Sequence, residues 1–482
     1  MSPYRTEEFI SREIAQWASG LRYEHLSQSA IDAAKRFWFD SLVCAVGGTH
    51  TDDAEILRGH YQSMAQGMEG ACSVLFADWK TNPVDAAFLN SHLVRALDFN
   101  DIYWQADPAH PSDLICGPLA LGELHDRDGR DLIVATVILY ELQCRFAEFG
   151  RPGIREYGWH HATLSAFASA IGAGWMLELS ADQMVHAMGI SASRTGTLGA
   201  VTAGNLTMMK NTVDPWASRM GVESAMLAQR GFTGPAHVID GKEGLVHTFG
   251  HSAVEGEPCR FKLDVLTDAL PSRIEDSYRI ERCGMKSFPV EALMHSPLSA
   301  LFAIVEGTDI DVDSIDTIEV EVIARAADIL GDPAKYRPTT RETADHSLPY
   351  AIAVSMVDGV LGHAQFSDTR VADDSLHTVM DKVRVLPNAS FESRFPESQP
   401  SRVTVHLRNG ESISREVEYP RGDPRSPMTW QDIEQKLIGL APEGTGSELI
   451  ERLGAAANQL DEGISIRSFC QQLSAYPQSA CV

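Results

Sequence analysis

From the start of the chain to about residue 260, apolar side chains recur at helical spacing almost throughout. Ile31, Ala34, Phe37, Phe39, Leu42 and Val43 predict a helix over 29–46 closed by Gly47-Gly48. The same periodicity predicts helices over 84–97, 114–124 and 131–147. Thr6 ahead of Glu7 and Glu8 marks a helix start running to Trp17, and Ser180 with Gln183 forms a capping box for a helix to Met188. Two segments, 162–174 and 190–204, consist mainly of Ala, Ser, Thr and Gly. Side chains that small let backbones approach closely, which places both segments at the centre of a helical bundle.

The pattern changes after Pro258. Residues 316–323 alternate in strand fashion, and 402–419 predicts two strands around Asn409-Gly410, a strong hairpin signal. Helices at about 296–306 and 347–360 lie between them. Helical periodicity returns at 429–438, 446–453 and 464–473. These last helices are expected to pack back on the first body. The fold class is therefore mainly α: a large all-helical, discontinuous domain over 1–267 and 416–482, with a smaller α+β domain over 268–415.

A chain of 482 residues supports two such bodies. Its 40 basic and 66 acidic side chains leave a formal charge of −26, a field that repels nucleic acid and anionic membrane surfaces. No nucleic-acid or membrane partner is expected, and an anionic small molecule would need a local cationic pocket. Eight cysteines are scattered without a metal or disulfide pattern and read as buried thiols. No signal-like or membrane-spanning run occurs, so the expected compartment is the cytoplasm.

Candidate chemistry gathers in four places. The stretch 95–113 carries Asp98, Asp101, Asp107, His110, Ser112 and Asp113 between two apolar helices; Pro108 and Pro111 make it an irregular connection. Read singly, Asp98 and Asp113 are helix caps. Read together they are a site. His160-His161 precedes the small-residue helix, where unpaired N–H groups suit a carboxylate. Lys210 sits in an apolar run and either snorkels or faces an anion. Lys286 and His295 lie at the change of pattern, a common place for a small-molecule pocket. His346, in Ala-Asp-His-Ser-Leu-Pro, reads as structural or as a support for a neighbouring site residue, with a direct role as the alternative. A metal hydrolase using Asp98, Asp101, His110 and His160 lacks tight ligand spacing, and a non-catalytic helical interaction module is a further alternative.

In order along the chain come Ala-Leu-Asp-Phe-Asn-Asp, His-Pro-Ser-Asp, Gly-Trp-His-His, Met-Lys with Leu-Ala-Gln-Arg-Gly-Phe-Thr-Gly-Pro, and Ser-Phe-Pro-Val-Glu with His-Ser. This set resembles the MmgE/PrpD family, which includes 2-methylcitrate dehydratase, cis-aconitate decarboxylase and iminodisuccinate epimerase. The resemblance implies a helical large domain, a smaller α+β domain, a homodimer, no metal or organic cofactor, and a small anionic carboxylic acid as substrate. It puts Asp98, His110, His160, Lys210 and His295 at catalytic positions, with Asp101, His161, Ser112 and Lys286 as substrate-binding candidates. Ile102 stands where the family commonly has Thr, and Thr202 and Ala292-Leu-Met294 depart from the dehydratase pattern. The implied chemistry is removal of a proton alpha to a carboxylate. A dehydratase-like hydro-lyase ranks first, then a decarboxylase, then an epimerase. His110 or His160, tuned by Asp98, is the expected acid or base.

Overall fold

The computed structural model describes residues 9–474 except 68, 204–205, 251–252, 255–256, 259, 309 and 442–445. The expected start at Thr6 lies outside these residues; the first described helix is Ile10–Gly20. The architecture is mainly helical with small sheets, as the periodicity predicts. Among the described residues, no helix is long and apolar enough to cross a membrane.

The central element is the helix Ala162–Met176, every residue of which is buried. Its Ala, Ser and Gly side chains let it lie between Gly129–Phe149, Ala181–Ala192 and Val213–Gln229. The second small-residue segment behaves differently. Ile190–Ala192 finishes the helix that Ser180 caps, and 193–203 is then turns and a short 3-10 helix at partly exposed positions. Its apolar side chains are few and small apart from Leu198, which stays 60% exposed, and the His160 N–H donates to Thr197 O at 2.8 Å, so the run covers the histidine pair from outside instead of entering the core.

The helix Gln28–Gly48, capped by Ser27, includes the two glycines expected to end it. Close approach favours glycine at its last position, since a Cβ on Gly48 would meet the Leu93 carbonyl oxygen at 2.1 Å. The stretch between Pro83–Arg95 and Cys116–His125 is also more regular than expected. Asp101–Trp104 is a strand, paired antiparallel with Pro108–Ala109 on one side and Gly284–Met285 on the other. Pro108 is tolerated because it sits on the edge strand.

The smaller body is built on a four-stranded sheet ordered Val383–Pro387, Ile315–Val322, Ser401–Leu407, Ser412–Val417. The first pair is parallel and the others antiparallel. The hairpin forms where Asn409-Gly410 places it, with Gly410 at φ +90° and Leu407 N–H bonded to Glu411 O. His295–Val305 and Leu348–Asp358 pack on this sheet.

Two cores result. The larger takes Ile10 through Met285 and then Met428 through Leu473, so the helices Trp430–Leu440, Gly446–Asn458 and Ile466–Ser474 bury their apolar faces in it. The smaller gathers Val290 to Val405 together with Trp104. Tyr278, Ile280, Cys283 and Met285 belong to the larger core, although they lie beyond residue 268.

Two links tie the returning C-terminal segment to the larger body. Gly422 (φ +97°) lies where any Cβ would meet Met285 O at 1.9 Å, and it accepts the Met285 N–H at 2.9 Å. Lys436, on Trp430–Leu440, reaches Asp40 Oδ1 at 2.7 Å and the carbonyl oxygen of Phe99 at 2.5 Å. Lys436→Met should lower stability by roughly 3–5 kcal/mol, because it leaves Asp40 buried and unpaired. Chemical denaturation checks this, and the Lys436→Met Asp40→Leu double variant should recover much of the loss.

Candidate active site at the seam of the two bodies

None of the nine candidate residues is more than 5% exposed. Charged side chains at that depth need partners, and Asp98 has three. Lys286 Nζ donates to its Oδ1 at 2.7 Å and to its carbonyl oxygen at 3.0 Å. Lys210 Nζ lies 3.1 Å from Oδ2, and Arg95 also donates to Oδ1. Asp98 itself sits at φ +50°, a conformation that costs a non-glycine residue about 1–3 kcal/mol and persists where surrounding contacts impose it. Burial opposes its ionisation, yet Arg95, Lys210 and Lys286 hold its carboxyl well below the usual range.

The second body completes the cluster. Lys210 is also 3.5 Å from Asp345 Oδ2 and 3.4 Å from His346 Nδ1, on the turn before the helix Leu348–Asp358. His346, expected to be structural or to support a site residue, lies against the lysine. His295 opens the helix His295–Val305. Its Nδ1 is 3.5 Å from Ser287 Oγ, and its Nε2 is buried without a hydrogen-bond partner among the described residues. Burial, reinforced by Lys286, pushes this imidazole down to about 3.

The hydrogen-bond partners fix two tautomers. His110 Nδ1 lies 2.7 Å from the carbonyl oxygen of Asp101. A carbonyl only accepts, so Nδ1 carries the proton and Nε2 keeps a lone pair. His160 is the reverse: its Nδ1 accepts the Ala162 N–H at 3.2 Å, which leaves the proton of the neutral ring on Nε2. His161 stacks against His160 with ring centroids 3.9 Å apart and lies 5.6 Å from the His110 ring. Its Nε2 is 3.2 Å from Asp214 Oδ2, while Ser165 Oγ donates to Asp214 Oδ1 at 2.5 Å and Gln143 to Ser165 Oγ at 2.7 Å. Burial holds His110 and His160 well below the ordinary imidazole range, helped by Arg95 and Lys286 at His110 and by His161 at His160.

Asp101 and Ser112, both substrate-binding candidates, are bonded to each other. Both Asp101 oxygens are taken by Ser112, Oδ2 by its N–H at 3.0 Å and Oδ1 by its hydroxyl at 2.6 Å. Burial pushes Asp101 up to about 6 against these bonds. The pair shapes the loop that aims His110. Asn100 joins the same loop by donating to Ser112 Oγ at 2.8 Å and Asp113 Oδ1 at 2.9 Å.

Several members of this network were not singled out from sequence. Arg95 stands at the end of an ordinary amphipathic helix, Lys436 lies far away in sequence, and Asp214 is a single acid in a buried helix. The only available signal for Asp214 is its spacing, one helical turn beyond Lys210. His160, His161 and Asp214 also offer nitrogen and oxygen atoms within 4.8 Å of one another, a spacing a metal ion can use. Of the four residues considered as metal ligands from sequence, only His160 belongs to that group. Elemental analysis of purified protein decides between an ion pair and a metal site.

The comparisons with known proteins agree with this architecture. Residues 12–255 match the MmgE/PrpD N-terminal domain and 288–462 the MmgE/PrpD C-terminal domain; the chain belongs to the MmgE/PrpD family. Among its relatives, cis-aconitate decarboxylase of Aspergillus terreus is 25% identical, the alignment covering 98% of this chain and 97% of the relative. Cis-aconitate decarboxylase of Homo sapiens is 23% identical, with 94% and 92% covered. The 2-methylcitrate dehydratase of Cupriavidus necator is 26% identical, with 84% of each covered.

The neutral histidines predict a pH signature. Unfolded imidazoles titrate at about 6.5, so as pH falls below that value the unfolded chain takes up protons that the folded chain refuses. Stability should therefore decline below about pH 6.5, with a limiting slope of ~1.4 kcal/mol per pH unit for each such histidine. Asp101 works the other way: between about 4 and 6 the folded chain binds its proton first, which offsets one histidine. Melting temperatures between pH 5 and 8 should show the decline, and His295→Asn should flatten it.

Proposed function

We propose that the chain is a lyase that removes a proton alpha to a carboxylate of a small di- or tricarboxylic acid, most closely a hydro-lyase of the 2-methylcitrate dehydratase type. The observation that carries this reading is the pairing of a histidine with a free Nε2 lone pair, His110, with one that presents an Nε2–H, His160. The two rings flank His161, and the buried Lys286 ammonium acts on His110. Elimination of water needs both a base and an acid.

His110 Nε2 takes the α-proton, and the C–H electron pair moves onto the carboxylate as an enolate-like dianion. Lys210 and Lys286, already turned towards the Asp98 carboxylate, supply the positive potential that this charge requires. The carbanion pair then forms the Cα–Cβ double bond as the β-carbon–oxygen bond breaks with its electron pair on oxygen; His160 Nε2–H donates a hydrogen bond to the departing hydroxide, which leaves as water with the proton taken up by His110. Asp214 fixes the His161 ring, which in turn stacks on His160. His295, with its unpartnered Nε2, faces a substrate carboxylate.

A carboxy-lyase is the second reading. It is favoured by the His160-His161 order and by relatives named cis-aconitate decarboxylase that align over nearly the whole chain. There the carbon–carbon bond breaks with loss of CO₂, and the resulting carbanion takes a proton at carbon. A panel of 2-methylcitrate, citrate, cis-aconitate and iminodisuccinate followed by NMR separates the readings. An alkene without CO₂ is a hydro-lyase product, and released CO₂ identifies a carboxy-lyase. Turnover of none of these acids would overturn the proposal.

His110→Gln and His160→Ala should each lower kcat by roughly 10²–10⁴-fold with little change in melting temperature; a loss of folding would make either histidine structural. Lys210→Ala should act mainly on KM for the acid. Asp214→Asn should shift the pH profile of kcat, an effect that a purely structural carboxylate would not have.

A further inference from the structure

A cleft of about 1470 Å³ opens between the two bodies. Lys286 and His295 form part of its wall, but Asp98, His110, His160 and Lys210 do not, so most of the cleft lies outside the buried cluster. Trp104 stands in its wall where the bodies meet: its strand belongs to the first body while its ring packs in the second core. Two guanidinium groups approach that ring, Arg155 from the first body and Arg325 from the second, each with its carbon 5.8 Å from the ring centroid.

These groups have unmet requirements. The Trp104 ring is 6% exposed, and its Nε1–H has no acceptor among the described residues. Leaving such a donor buried and unsatisfied costs about 1–3 kcal/mol. The Arg155 guanidinium makes no ion pair among the described residues, whereas Arg325 is paired with Glu156. Burial, with Arg325 nearby, pushes the Arg155 guanidinium down from its ordinary value. Around them the cleft wall carries Arg151, Lys262 and Arg282, also without ion pairs among the described residues. Several of its acids are already engaged, Glu148 by Arg279 and Asp423 by Arg425; Asp328 has no ion-pair partner among the described residues. In a chain of charge −26, this is a local surplus of positive charge facing an orphan donor.

We propose that Trp104, Arg155 and Arg325 form an oxyanion site in this cleft, separate from the histidine–lysine cluster, which takes a carboxylate or phosphate group of a small polyanion. The indole N–H and the Arg155 fork supply directional donors, and the Arg325 guanidinium supplies charge from the opposite body. An anion bound there is held from both sides of the seam, so its binding stabilises the arrangement of the two bodies as well as filling the site. This assignment is independent of the reaction proposed above.

The test is isothermal titration of the full chain at low ionic strength with inorganic phosphate and, separately, with propane-1,2,3-tricarboxylate. The wild-type protein should bind at least one of them saturably at a site that Lys210→Met leaves in place. Arg155→Gln should weaken that site about ten-fold or more, the scale of a charge-assisted hydrogen bond. Trp104→Phe keeps an aromatic face but removes the donor, and should weaken binding by a smaller factor; it carries the test if Arg155→Gln fails to fold. Binding of phosphate alone would assign a phosphate ligand, and binding of the tricarboxylate alone an organic acid. Absence of saturable binding, or equal affinities for wild type, Arg155→Gln and Trp104→Phe, would overturn the site.

Discussion

The Asp98 carboxylate, buried and held by Arg95, Lys210 and Lys286, is the interaction on which the rest of the site depends. Three cations at that depth are tolerable only because one carboxylate answers all of them, with Asp345 and Asp113 sharing the remainder. The cations come from separate parts of the chain: a helix end, a short 3-10 turn and the segment joining the two bodies. Asp98 therefore gathers distant segments around one point, and its left-handed backbone is what that convergence imposes.

A cluster of this kind is preorganised. Its donors already point at negative charge, so replacing part of what Asp98 supplies with a substrate carboxylate needs little reorganisation. The histidines beside it are kept neutral by burial, with their tautomers set by one backbone carbonyl at His110 and one backbone N–H at His160. Neutral rings in fixed tautomers have defined donor and acceptor faces, which is what proton transfer in both directions along a reaction requires. The outer cleft differs in character, since its surplus guanidinium groups lie where water still reaches and there is no carboxylate for each of them.

Much of the fold was legible because periodicity reports directly on burial. The helices, the hairpin at Asn409-Gly410 and the return of the last three helices follow from which side chains must leave water. The failures have the same origin. Composition alone put 190–204 in the core, but a run with few apolar side chains has little driving force to be buried. Gly47-Gly48 read as a helix end, and the helix does end at Gly48; what the sequence did not show is that Leu93 packs against that glycine.

For the site, the sequence by itself determined which residue types were available and in what order: a carboxylate, three histidines and a lysine in short motifs, in a chain whose net charge called for a local cationic pocket. What it could not reach were the partners. Arg95, Asp214, Asp345 and Lys436 have unremarkable local surroundings, and their importance comes only from tertiary proximity, in the case of Asp345 across the seam. Tertiary structure decided that Asp101 is held by Ser112, that His110 carries a lone pair and His160 a proton, and that His346 touches Lys210. Ionisation state and tautomer depend on burial and on one or two neighbours within about 3 Å, and those neighbours are fixed by packing rather than by position along the chain.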